Sequence, residues 1–281
     1  MGGSLAMRLK RDRTVRRVTA LVRRAESVAE AERLGAVDFA ATDPQTALAD
    51  ADVVVFSTPV RVLTEQLRRF APFFKTGAIV TDVGSTKRQI MAELNALPPR
   101  VHPVGSHPMC GKEISGLAAA DPQLYDGATW VISPLERTPP HATETVRRLA
   151  QSVGANPLTL APARHDRLVA TISHLPYLLS AGLVLTAQSV AVDDSQVWDV
   201  AASGFKDTSR LAASNVQMML DILLTNQDAV LEMLARFGDR LDALADAIRA
   251  GDEPRLRAML DAAARQRTAL FPPPGRFPKN E

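Results

Sequence analysis

The run VVVFSTPVRVLTEQLRRFAPFFKTGAIVTDVGSTK, residues 53–87, reads as strand, helix, strand, and that reading decides the fold. Val53 to Phe56 form a short apolar stretch closed by Pro59, as a buried strand does. Val60, Leu63, Leu67 and Phe70 then recur at helical spacing. TGAIVTDVGS (76–85) gives a turn, a second apolar strand and a loop. Ser85 stands where it can cap a helix over TKRQIMAELNAL (86–97). Parallel strands need such a crossover, so this unit belongs to an α/β sheet.

The alternation continues on both sides. Upstream, VRRVTALVRR (15–24) is a β-branched strand pattern, and AESVAEAERLG (25–35) is a helix stopped by Gly35. In TDPQTALADAD (42–52), Asp43 offers an N-cap and Pro44 the first helical position. Downstream, RVHPVGS (100–106) is a further strand, and TPPHATETVRRLAQSVGANPLTLAP (138–162) supplies the last unit. From about Ala163 the pattern is helical throughout, in ARHDRLVATISHLPYLLSAGLVLTAQSV (163–190), NVQMMLDILLTNQDAVLEMLARFGDRLDALADAIRAG (215–251) and EPRLRAMLDAAARQRTAL (253–270). The expectation is a Rossmann-type parallel-sheet domain over residues 1–161, an all-α domain over 162–270 and a flexible Pro-rich tail over 271–281.

The chain has 281 residues, 46% of them hydrophobic, which suits one large domain or two ordinary ones. No apolar run is expected to be long enough to cross a bilayer. The single cysteine, Cys110, excludes an intrachain disulfide framework and fits a reducing cytoplasm. A net charge of +2 asks for no nucleic acid. Arg8, Lys10, Arg11, Arg13, Arg16, Arg17, Arg23 and Arg24 face Asp12 alone near the start, as in a targeting peptide or a nucleic-acid arm. That segment also scans as ordered structure.

In open parallel sheets, ligands bind at the carboxyl ends of the strands. Ser85 and His107 both follow strands and reach one such edge. A neutral imidazole takes a proton near neutral pH, and a hydroxyl within reach orients the group that loses it. The opening MGGSLAMRLK (1–10) fits the end of a dinucleotide fingerprint. Gly2 matches its last glycine, Gly3 and Ser4 begin the helix, and Leu5 and Leu9 form its buried face. The pattern then expects an apolar strand ending in G-x-G ahead of Met1.

Four strings in order, DVGSTK (82–87), GSHPMCGKEISG (105–116), SHLP (173–176) and GFKDTSR (204–210), resemble the prephenate/arogenate dehydrogenase family. The resemblance spans residues 1 to about 270. It implies an N-terminal Rossmann domain, a helical domain that forms a homodimer, and oxidative decarboxylation of prephenate with hydride transfer to NAD(P). Alternatives are an NADP-dependent arogenate dehydrogenase and a truncated, inactive dimerising remnant. A small-molecule substrate, a cytoplasmic location and no metal, nucleic-acid or membrane partner go with this reading.

The resemblance also assigns residues. His107 matches the residue that accepts the proton of the ring hydroxyl, and Ser85 the serine that bonds that hydroxyl beside the nicotinamide. Arg210 matches the arginine that grips a substrate carboxylate, with Lys206 the next cation in that string. Glu113 matches an acidic residue at the site entrance. His174 lies on the long helix as a substrate contact or a packing residue. Tyr177 stands where many prephenate-specific relatives carry a second histidine, which leaves arogenate open. Gly2, Gly3, Ser4, Thr58, Pro59 and Ser85 are expected around the cofactor. Arg23 and Arg24 end a strand where NAD enzymes place a carboxylate, so NADP is expected over NAD.

Overall fold

The structure is a computed structural model that describes residues 1–111 and 116–272. The chain opens with helix α1, Gly2–Arg11. Strand β1 is Thr19–Leu21, α2 Ala25–Arg33 and β2 Phe39–Ala41. Gly35 ends α2 with φ +62°, a conformation other residues rarely adopt. Helix α3, Pro44–Leu48, starts at Asp43, whose carboxylate accepts the Thr46 N–H at 2.8 Å. Then come β3 (Val53–Phe56), α4 (Val60–Phe70), β4 (Ile79–Asp82), α5 (Arg88–Asn95), β5 (His102–Pro108), β6 (Thr129–Pro134), α6 (Pro140–Ser152) and β7 (Asn156–Thr159).

These strands form two ladders. β1 pairs in parallel with β2, and a five-stranded sheet runs β3-β4-β5-β6-β7. β1 and β3 each keep one edge outside these ladders. One part of the parallel expectation needs correction: β6 runs antiparallel to β5, with His107 opposite Val131. Helices cover both faces of the larger sheet. Leu63, Leu67 and Phe70 of α4 and Ile90 and Leu94 of α5 pack with Val54, Phe56 and Val80 on one face. Leu5 and Leu9 of α1 and Val146 and Ala150 of α6 pack with Ile79, Val104 and Ile132 on the other. Alternate residues of each strand thus feed opposite layers, as the two-residue pleat requires.

No strand follows Thr159 among the described residues. Helix α7 is Pro162–Val169. A π-helical turn, Ala170–His174, joins it to α8, Leu175–Ala191. Helices α9 (Ser203–Ser209), α10 (Val216–Thr225), α11 (Gln227–Arg249) and α12 (Glu253–Leu270) complete the chain. Compactness divides it into two units, Met1–Val230 and Leu231–Glu281. The first holds the sheet and the helices through α10. The second holds most of α11, where Met233 and Ala247 are buried, and α12. The tail from Pro273, expected to be flexible, lies outside the described residues.

The helical run Pro162–Ala191 corrects another expectation. Its mean hydropathy reaches 1.7, so by length and composition it could cross a membrane. From Val169 to Ala191 it carries no Asp, Glu, Lys or Arg, and its scattered Ser, Thr and Gln residues hide that run when only unbroken apolar stretches are counted. The basic N-terminal segment is folded: Arg8 bonds Asp126 at 2.7 Å, and Lys10 pairs with Asp38 at 3.1 Å.

Candidate active site

The site grows from the carboxyl ends of β4 and β5. The two strands are in register with Thr81 beside Val104. Asp82, the last residue of β4, accepts the backbone N–H of Ser106 at 2.9 Å and of Gly84 at 2.8 Å. Its carboxylate also holds the Lys87 ammonium, and both side chains are fully out of solvent. Burial pushes Lys87 down from its ordinary value while Asp82 pulls it back up. Removing either partner would leave a lone buried charge, so the pair ties down the loop between β4 and α5. Ser85 rides on that loop, half-buried. Beside it, the Thr86 hydroxyl meets that of Thr225, at the end of α10, at 2.9 Å.

Ser85 does not cap α5, contrary to the sequence expectation. The helix begins at Arg88, three residues on, and Asp166 of α7 takes the capping role. Its two carboxylate oxygens accept the Lys87 N–H at 2.7 Å and the Arg88 N–H at 2.8 Å. Orphan amides at a helix start favour such a carboxylate.

His107 lies within β5 rather than past it, because β6 extends the ladder to Pro108. Its Nδ1 is 2.8 Å from Nε2 of His165, and the rings meet edge to face. His165 Nδ1 is in turn 2.8 Å from Asp166 Oδ1. His165 is 1% and Asp166 3% exposed, while His107 keeps 9%. Burial holds His107 well below its ordinary pKa, with His165, Lys87 and His174 adding in the same direction. It therefore remains an uncharged proton acceptor at neutral pH.

The π-turn brings His174 to the same network. Asn226, which separates α10 from α11, donates to the Asp166 carbonyl at 2.8 Å and lies 3.3 Å from His174 Nδ1. His174 is 2% exposed, and burial pushes it down to about 4. Tyr177, half-buried, is three residues further along the helix. Ser180, three more on, donates to the carbonyl of Thr208 in α9. That bond anchors the segment carrying Lys206 and Arg210, both exposed. Bonds thus join His107 and His174 into one network and place Ser85 on the loop that it braces, whereas Lys206 stands exposed on α9 and Arg210 exposed just beyond its end. Glu113 lies outside the described residues.

The expected cofactor residues occupy the starts of helices. α1 opens at Gly2 with no side-chain cap. A Cβ at Gly2 would stand 2.2 Å from Ser57 Oγ, and one at Gly3 2.4 Å from Leu117 Cδ1. The backbone of α1 therefore approaches the end of β3 as closely as glycine allows. Ser4 accepts the Asp121 N–H at 3.0 Å. Thr58 donates to Gln66 at 2.7 Å, and Pro59 precedes α4. Arg23 and Arg24 are exposed after β1, with Arg24 at the start of α2. An uncapped helix start that opens on two glycines fits an anionic dinucleotide.

Sequence reasoning missed Asp82, Lys87, His165, Asp166 and Asn226. A His–Asp pair near the start of the long helical run was the available signal for His165 and Asp166.

The family model for the prephenate dehydrogenase nucleotide-binding domain matches residues 5–158. The model for the prephenate dehydrogenase dimerization domain matches residues 161–262. The chain is 30% identical to a prephenate dehydrogenase of Bacillus subtilis over 274 residues, covering 96% of this chain and 73% of that protein. A cyclohexadienyl dehydrogenase of Zymomonas mobilis is 28% identical, over 85% of this chain and 82% of that one. Among solved structures, prephenate dehydrogenase from Aquifex aeolicus, in complex with hydroxyphenyl propionate and NAD+, has a TM-score of 0.89 at 28% identity, over 95% of this chain and 94% of that one. Synechocystis arogenate dehydrogenase has a TM-score of 0.85 at 29% identity, over 96% of both chains. The chain belongs to the prephenate dehydrogenase family, oxidoreductases that use a nicotinamide dinucleotide.

Proposed function

We propose that this chain oxidatively decarboxylates prephenate, with His107 as the base. The observation that carries the reading is the placement of His107 at the strand edge, its Nδ1 engaged by His165 and its pKa held low. In the substrate, a cyclohexadienol, loss of a hydride from C4, a proton from the C4 hydroxyl and carbon dioxide from C1 yields an aromatic phenolate, to whose oxygen the proton returns. The bound cofactor supplies the hydride acceptor. Gly2, Gly3 and Ser4 at the start of α1 would hold its pyrophosphate, with Thr58 and Pro59 nearby. Arg23 and Arg24 suit a 2′-phosphate, so NADP is the proposed cofactor. His107 takes the hydroxyl proton, the Ser85 hydroxyl orients that group, and Arg210 holds a carboxylate with Lys206 in support. Glu113 is assigned to the site entrance on sequence alone. His174, being buried, supports the site through Asn226.

A second reading, arogenate as substrate, is favoured by Tyr177: a phenol is a neutral donor where a histidine could carry charge. Exposed Leu185, Val192, Val200, Val216 and Leu224 on and between α8 and α10 support a homodimer through the helical domain. We place the enzyme in the cytoplasm.

The test is His107→Asn. It should lower kcat by about 10²- to 10⁴-fold, the usual share of a general base, while cofactor binding measured by titration stays near wild type. An unchanged kcat at every pH would leave His107 only a structural residue of β5.

A further inference from the structure

We propose that His165 and Asp166 are positioning residues that fix the tautomer of His107, so that its Nε2 carries the lone pair offered to substrate. The inference rests on the proposed role of His107 as base and names what prepares it. Asp166 accepts from the two amides at the start of α5 and faces His165 Nδ1. A carboxylate has only acceptors to offer, so His165 Nδ1 carries the hydrogen. Neutral His165 then presents Nε2 as an acceptor. That forces the facing Nδ1 of His107, at 2.8 Å, to donate. With Nδ1 protonated, neutral His107 has its basic lone pair on Nε2. The order of donors runs one way from His107 through His165 to Asp166, and α5 anchors its far end.

The same chain serves the protonated state. When His107 accepts a proton on Nε2, its Nδ1–H remains donated to His165, and the Asp166 carboxylate lies one ring further on. The other charged or titratable groups around His107 are Lys87 from the α5 side, neutralised by Asp82, and His174 from the π-turn. None of these offers an acceptor to the Nδ1–H of His107, which keeps His165 as its partner at 2.8 Å.

Two variants test this. His165→Leu removes the acceptor, and His165→Asn can restore it through a side-chain oxygen. His165→Leu should lower kcat by at least about tenfold with little change in substrate KM, and His165→Asn should recover most of the loss, as for a base whose orientation is impaired. Independently of activity, nitrogen-15 spectra of histidine-labelled protein should show His107 protonated at Nδ1 in the wild type and mixed between the two nitrogens in His165→Leu. If His107 is protonated at Nε2 in the wild type, or if its tautomer and kcat are the same in all three proteins, the proposal is overturned. Should His165→Leu fail to fold, the wild-type tautomer and the kinetics of His165→Asn still decide. Loss of turnover in His107→Asn with no effect of His165 defeats this inference alone. Full turnover in His107→Asn defeats the reading of the reaction.

Discussion

Asp166 caps a helix that begins 78 residues before it: its Oδ2 accepts the Arg88 N–H at 2.8 Å, while its Oδ1 serves Lys87 and His165. One buried carboxylate thereby joins the helical region to the loop that carries Ser85. Stability and catalysis meet at this residue. Asp166→Ala would strip α5 of its cap and leave the His165 N–H unpartnered in the interior. It should lower unfolding stability by about 2 kcal/mol or more, from the cap and the charge-assisted bonds. Denaturant titration checks this, and an unchanged midpoint would mean that water replaces the carboxylate without loss.

Much of this architecture was legible locally. Val60, Leu63, Leu67 and Phe70 announced the buried stripe of α4, and all are buried. Asp43 and Pro44 announced the start of α3. What failed was non-local. The direction of β6 against β5 depends on which edge the chain returns to, and no residue in TWVISP encodes that. Ser85 met the local rule for a cap, yet a carboxylate from a distant helix reached the amides at the true helix start. His165 and Asp166 carry no periodic signal for their function, because their meaning lies in what they touch across the fold. The strings around His107 and Arg210 were visible as motifs, but the bonded chain behind His107 was not.

Arg210 stands exposed just beyond α9, which Ser180 anchors through Thr208. If its guanidinium grips a substrate carboxylate, Arg210→Gln removes a charge-assisted contact of about 1.5–3 kcal/mol and raises KM more than it lowers kcat. Steady-state kinetics reads the split. An unchanged KM would move the carboxylate contact elsewhere, with Lys206 next to be substituted.

Acid should destabilise the fold through its buried histidines. Burial pushes His174 from 6.5 down to about 4, against the pull of Asp166, and His107 is also held well down. Between those two values the unfolded chain binds a proton at His174 that the folded chain refuses. Unfolded molecules then hold more protons, so stability rises with pH and falls as pH drops through this window. For His174 the full effect is on the order of 3 kcal/mol. The Tm should therefore fall between about pH 7 and pH 5, and His174→Asn, which keeps a polar partner for Asn226, should show a smaller fall. An equal fall in both proteins would assign the acid sensitivity to other groups.

Cofactor choice turns on Arg23 and Arg24. Both are exposed at the carboxyl end of β1, and Arg24 begins α2 in extended conformation. A carboxylate at such a strand end favours the free ribose 2′-hydroxyl of NAD and repels a 2′-phosphate. Guanidinium groups do the reverse, because a planar fork matches phosphate oxygens with charge-assisted bonds. The expected preference is for NADP. Replacing both arginines by alanine should weaken NADP binding about tenfold or more, the effect of losing at least one charge-assisted bond, and change NAD binding little. Because both side chains are exposed, the difference between the cofactors should shrink as salt screens them. Titration of each cofactor into the wild type and the double variant, at low and high salt, measures all of this. A wild type that prefers NAD, or a variant that weakens both cofactors equally at every salt concentration, would show that these arginines are solvated surface charge and that selectivity is set elsewhere.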